Sequence, residues 1–130
     1  MLARKLAFGI ALLLLAVAAV AMSLRRQEHI VELSERCAAA ARNDDWKTLE
    51  GLAREWIQMQ AAPGADYWLG MALKGQKRFD GARAAFEKVP ISGPRGIDAA
   101  IERMEILFHV YQQPREAIRL ARDLLEKDQK

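Results

Sequence analysis

The chain has 130 residues, 52% of them hydrophobic and 28% charged, which is enough for one small domain and excludes a multidomain enzyme. The single cysteine, Cys37, cannot form an internal disulfide, and with two histidines it cannot complete the four ligands of a structural zinc site. From Arg25 onward, 18 basic side chains are interleaved with 17 acidic ones, so the sequence lacks the clustered cations of a nucleic-acid-binding face.

The first element is an uncharged stretch, residues 6–24, with Arg4 and Lys5 before it and Arg25 and Arg26 after it. As a helix it is about 28 Å long, at about 1.5 Å per residue. A bilayer core is about 30 Å thick, and a single segment in lipid satisfies its backbone hydrogen bonds only as a helix. The stretch therefore predicts a transmembrane helix.

Two interpretations of this segment stay open. Residues 19–21, Ala-Val-Ala, fit the small-x-small pattern of a signal-peptide cleavage site, which predicts release of the remainder after Ala21. The apolar run continues to Leu24, which favours an uncleaved anchor.

The orientation also stays open, because the amino terminus with Arg4 and Lys5 competes with Arg25, Arg26 and Arg36 for the cytoplasmic side. A short basic head before a first hydrophobic segment usually stays in the cytoplasm. We therefore predict a signal anchor over 1–26 that crosses the inner (cytoplasmic) membrane once, with a domain over 27–130 outside the cytoplasm.

The rest of the chain is predicted to be all-α. Its long segments have apolar residues three or four apart, and none shows the alternation of a strand. Asn43-Asp44, Pro63-Gly64 and the loop 90–96 separate the segments, and Pro114 fits a first helical turn. The predicted helices are 28–42, 45–60, 66 to just before 75, 80–88, 97–111 and 114–127.

The middle pair of helices carries a spaced pattern of small, aromatic and proline residues, namely Gly70, Ala82, Phe86, Val89 and Pro94. This pattern resembles the tetratricopeptide repeat. In that family, small residues lie where the two helices of a hairpin cross, and an aromatic residue fills the space between hairpins. The same register recurs about 33 residues earlier and 35 later, where Glu105 stands in the place of Gly70.

The resemblance implies a right-handed solenoid of about three antiparallel helical hairpins between about Glu28 and Lys130. In this family, the first helices of the hairpins line a groove that receives a protein or peptide partner. Carried over to this chain, the groove would contain Ser34, Ala38, Arg42, Tyr67, Met71, Lys74, Glu102, Ile106 and His109. We expect an apolar segment or helix anchored on Tyr67 and Met71. The alternative is that these residues pack against the loop 90–96 or against arginine side chains.

No catalytic motif is present in the sequence: there is no phosphate-binding glycine loop, no His-Glu-x-x-His and no Gly-x-Ser-x-Gly. We therefore predict a protein that is not an enzyme and uses no metal or cofactor. A small enzyme working through His109 with Glu102 or Glu105 is the weakest alternative.

The predicted function is that of a membrane-anchored scaffold, which binds a protein or peptide partner during assembly of an envelope complex. The main alternative is a secreted or periplasmic soluble binding protein released near Ala21. A homodimer is also possible, because a repeat array without a polar capping helix leaves an open end. We expect that end to be formed by Leu120, Leu124 and Leu125.

Overall fold

The computed structural model describes residues 1–129, and every regular element in them is helical, as predicted. The elements are α1 (Leu2–Arg42), α2 (Trp46–Met59), α3 (Pro63–Gly75), α4 (Phe79–Glu87), α5 (Gly96–Glu105), a π-helical turn (Ile106–Val110) and α6 (Pro114–Asp128). The chain divides into two compact units, Met1–Glu32 and Leu33–Lys130.

The first unit is an apolar helix whose large side chains are exposed, including Phe8 at 69% and Leu15 at 67%. It is the one helix of the described residues that is long and apolar enough to cross a membrane. It could span a membrane or act as a signal anchor, and a cleaved signal sequence meets the same criterion.

Helix α1 is continuous to Arg42, whereas the sequence predicted a separate helix from Glu28. Residues 25–28, Arg-Arg-Gln-Glu, all favour helix and include no glycine or proline, so nothing interrupts the backbone hydrogen bonds. The two compact units meet after Glu32, which lies beyond the predicted boundary at Arg26.

Helices α2 and α3 begin for different local reasons. The Asp45 side chain accepts the backbone N–H of Thr48 at 3.3 Å and so caps α2. Pro63 begins α3. The sequence had predicted that Pro63-Gly64 ends α2 and that the next helix begins near Asp66. Proline lacks an N–H group, and the first helical turn has no partner for one.

The core of the second unit lies between consecutive helices. Helix α3 contacts α2, α4 and α5, and α5 also contacts α4 and α6. Gly70 allows the close approach of α3 and α4, because a Cβ atom there would lie 2.5 Å from Cε1 of Phe86. A smaller cluster joins α5, the π-helical turn and α6 through buried Ala100, Leu107, Ala117 and Leu120.

Three turns between helices share a left-handed residue that is followed by a backward hydrogen bond. Each contains one residue with positive φ: Asp44 at 54°, Lys77 at 60° and Gln112 at 53°. The N–H of the next residue bonds back to a carbonyl in the preceding helix: Asp45 to Ala40 at 3.0 Å, Arg78 to Leu73 at 2.8 Å and Gln113 to Leu107 at 2.8 Å. A left-handed residue with this backward bond is a common way to end a helix.

The third turn closes over one extra residue. The N–H of Arg78 reaches back five positions to Leu73, whereas that of Gln113 reaches back six to Leu107. The π-helical turn lies within this stretch and contains the extra residue. Gly70 lies three residues before Leu73, whose carbonyl accepts the backward bond. The residue three positions before Leu107 is Met104, so Met104 and not Glu105 corresponds to Gly70.

Candidate functional site

The predicted groove residues of the second unit differ widely in exposure. Tyr67 is 7% exposed and Ile106 only 1%, so both belong to the core. Arg42 and His109 are exposed, while Ser34, Ala38, Met71, Lys74 and Glu102 are half-buried. Of the predicted groove residues, Met71 and His109 are therefore accessible at least in part, whereas Tyr67 and Ile106 are not.

The structure brings Lys74 and Glu102 together. The Lys74 ammonium group donates hydrogen bonds to Glu102 and to Oε2 of Glu105, the latter at 2.7 Å. Lys74 comes from α3 and both carboxylates from α5, so we call this arrangement the α3–α5 bridge. In residues 1–129, the side chains of Arg42 and His109 form no hydrogen bond or ion pair with the bridge.

The bridge holds Lys74 in its charged form. Partial burial lowers the pKa of Lys74, but the hydrogen bonds that Lys74 donates to Glu102 and Glu105 outweigh this effect, and the pKa is raised. Lys74 is therefore not a general base at neutral pH. In residues 1–129, both carboxylates bond to Lys74, and no hydrogen bond or ion pair joins either of them to His109.

Arg95 covers the predicted anchor Tyr67. Its guanidinium carbon lies 5.1 Å from the Tyr67 ring centroid and 5.2 Å from that of Trp68. Burial raises the pKa of the Tyr67 hydroxyl. An arginine from the loop 90–96 thus packs against Tyr67, which is the arrangement that the alternative to the groove predicted.

Arg95 was not identified from the sequence. It has φ of 61° just before α5, and its side chain also forms an ion pair with Asp98 at 3.4 Å. Periodicity describes only residues within helices, so it gives no signal for a loop side chain that folds back onto another helix. The sequence analysis named the loop 90–96 and arginine side chains as possible cover for the groove residues, but nothing in the sequence singled out Arg95.

The π-helical turn exposes consecutive side chains. Phe108 is 54% exposed and Val110 41%, and His109 between them is also exposed. The rings of Phe108 and His109 meet edge to face, with centroids 5.1 Å apart. The exposure of Phe108 was not predicted, because the sequence predicted a regular helix over 97–111 and gave no sign of the π-helical turn.

A second charged network lies where α2 meets the turn after α3. Glu50 accepts hydrogen bonds from Gln76 at 2.8 Å, Arg54 at 2.9 Å and Arg78 at 2.8 Å. These bonds, that from Gln76 foremost, lower the pKa of Glu50 to about 2. The carboxylate is thus a fixed anion that ties α2 to the following turn.

Within residues 1–129, no group of three histidine, cysteine, aspartate or glutamate side chains is placed to hold a metal ion. Comparison with known proteins finds no match: no family model fits the chain, and no curated protein or solved structure is significantly similar to it.

Proposed function

We propose that this chain is a membrane-anchored adaptor of the tetratricopeptide-like kind. Its N-terminal helix crosses the inner membrane once, and a body of three antiparallel helical hairpins lies outside the cytoplasm. The body binds a protein or peptide partner during assembly of an envelope complex.

The observation that carries the proposal is the recurrence of one turn at the repeat spacing. Asp44, Lys77 and Gln112 all have a left-handed backbone, and the N–H of the next residue bonds back into the preceding helix, over five residues in the first two turns and over six in the third. They lie 33 and 35 residues apart, near the 34-residue period of tetratricopeptide repeats. Three copies of one turn support three copies of one hairpin, and stacked hairpins of this kind commonly serve as binding surfaces.

The exposed apolar side chains of residues 6–24 support the anchor. A soluble protein rarely leaves so long an apolar helix without cover, whereas in a bilayer these side chains are in contact with lipid. Holding the body at a membrane also raises the effective concentration of partners confined to the same surface.

The α3–α5 bridge indicates what kind of partner the proposed groove accepts. Lys74 already bonds to two carboxylates, so an acidic peptide gains little by displacing them. Met71 lies one helical turn before Lys74 and is half-buried beside the bridge. This arrangement favours an apolar segment docking on Met71 over a carboxylate clamp.

Site-specific photocrosslinking in cells tests the proposal. A photoreactive side chain at Met71 or at His109 should yield one crosslinked product, whereas the same side chain at Ala84, an exposed residue of α4, should not. Equal yields at all three positions, or no product at any, would contradict adaptor binding at this face. A mature chain that starts at Met22 would instead establish the released, soluble alternative.

A further inference from the structure

Helix α6 presents a surface whose counterparts are covered elsewhere in the chain. By the repeat register, Phe86 in α4 and Val89, two residues after the end of α4, correspond to Ala121 and Leu124 in α6. Phe86 is 0% exposed and Val89 4%, and α4 is in contact with α5. Ala121 and Leu124 are only half-buried.

The corresponding surface of α2 is also covered by the helix that follows it. In α2 the corresponding residues are Ala53 at 0% and Trp56 at 8% exposed, and α3 packs on that helix. On α2 and α4, the following helix therefore covers this surface. Within residues 1–129, the corresponding surface of α6 is covered only in part.

The open surface is an apolar groove with a charged rim. Its volume is about 790 Å³, and its apolar lining includes Ile91, Ile97, Leu124 and Leu125. Leu125 is 67% exposed and Ile97 54%, which is high for large apolar side chains in contact with water. Of the three leucines expected here, Leu120 is instead buried in the core, at 8% exposed.

The charges of the rim restrict the choice of occupant. The rim carries two cations, Arg95 and Lys127, and two anions, Asp98 and Asp128, of which Arg95 and Asp98 pair with each other. A strongly acidic or basic partner meets as much repulsion as attraction here, and so does an anionic lipid surface. A copy of the same rim, turned by a two-fold axis, can place Lys127 of one chain against Asp128 of the other.

We propose that this groove is the interface of a homodimer, in which the α5 and α6 faces of two chains pack against each other about a two-fold axis. Each chain then covers the α6 surface of the other. Lys127 and Asp128 form no ion pair within residues 1–129 of one chain, and both become available to the partner copy.

Cysteine crosslinking of the full chain in detergent tests the interface. Leu125→Cys should yield a covalent dimer with a short bismaleimide, and Ala84→Cys on α4 should not. The unmodified chain is an internal blank, because burial raises the pKa of the Cys37 thiol to about 11 and leaves it unreactive. Equal crosslinking of both variants would overturn the proposal.

A charge variant separates this interface from association through the membrane helix. Light scattering in detergent should give the mass of two chains for the unmodified protein and for Ala84→Glu, and of one chain for Leu125→Glu. Because Leu125 is exposed, circular dichroism should show unchanged helicity. A single-chain mass for the unmodified protein, or a dimer that survives Leu125→Glu, would overturn the proposal, as would crosslinking of Leu125→Cys to a different protein.

Discussion

Gly70 of α3 faces the ring of Phe86 in α4 so closely that a Cβ atom on Gly70 would lie 2.5 Å from Cε1 of the ring. Phe86 is fully buried and cannot swing outward without opening the core. The crossing of these two helices therefore requires glycine.

Gly70→Ala should lower the free energy of unfolding by about 1–3 kcal/mol, the usual cost of overpacking a core. Gly51→Ala in α2 is the matched control, since nothing lies within 4 Å of its added Cβ. The control should gain about 0.5–1 kcal/mol, because alanine loses less entropy in a helix. Urea unfolding of both variants provides the measurement, and a neutral Gly70→Ala would contradict this packing.

Lys77 has φ of 60°, a conformation that costs an L-residue about 1–2 kcal/mol relative to the right-handed helix. Lys77→Gly should therefore raise the free energy of unfolding by about 1 kcal/mol. Lys47→Gly, at a right-handed position in the first turn of α2, should lower it, because glycine loses more backbone entropy there. Thermal unfolding compares the two, and a loss of stability in both would argue against the shared turn.

The Glu50 network predicts a stability that depends on acid pH. The carboxyl has a pKa of about 2 in the folded chain and an ordinary value of 4.5. Its contribution is complete above pH 4.5 and is lost as the pH falls toward 2. Glu50→Gln should cost about 1 kcal/mol at neutral pH and nothing once Glu50 is protonated.

Unfolding of the Glu50→Gln variant across this pH range tests the prediction. Glu126→Gln on α6 is the control, because Glu126 is exposed and forms no ion pair in residues 1–129. If the difference between Glu50→Gln and the unmodified chain did not vary with pH, the network would not be acting through the ionised carboxylate.

Arg95 lies over both Tyr67 and Trp68, so its removal should uncover these rings. Arg95→Ala should raise the accessibility of tryptophan fluorescence to acrylamide and cost about 0.5–1 kcal/mol of stability. Arg122→Ala, on exposed α6, should change neither. Unchanged quenching in Arg95→Ala would show that the arginine does not cover the aromatic pair in solution.

The sequence predicted the helices well, because each is specified by spacing and by residues at its ends. Asp45 at the start of α2 and Pro114 at the start of α6 are such local signals. The continuity of α1 past Glu28 was missed because the basic pair was taken as a boundary, although arginine favours helix. The extra residue before the turn at Gln112 was visible in the 35-residue spacing, but nothing local placed it in a π-helical turn.

The candidate site was harder to predict, because it depends on contacts between distant residues. The register placed Lys74 and Glu102 on neighbouring helices, and they do meet. Tyr67 was expected to be open, and the loop residue that covers it, Arg95, belongs to no periodic pattern. Side-chain burial at such a position follows from the packed fold and not from spacing along one helix.

The central claim is that the N-terminal helix anchors a helical-repeat body outside the cytoplasm. Fractionation of cells that carry the C-terminally tagged chain, with protease added to intact spheroplasts, tests it most directly. The account predicts a full-length, membrane-bound chain that the external protease degrades. A full-length chain protected from the protease would contradict it by placing the body in the cytoplasm, and a shorter soluble chain would contradict it by showing that the apolar helix is removed.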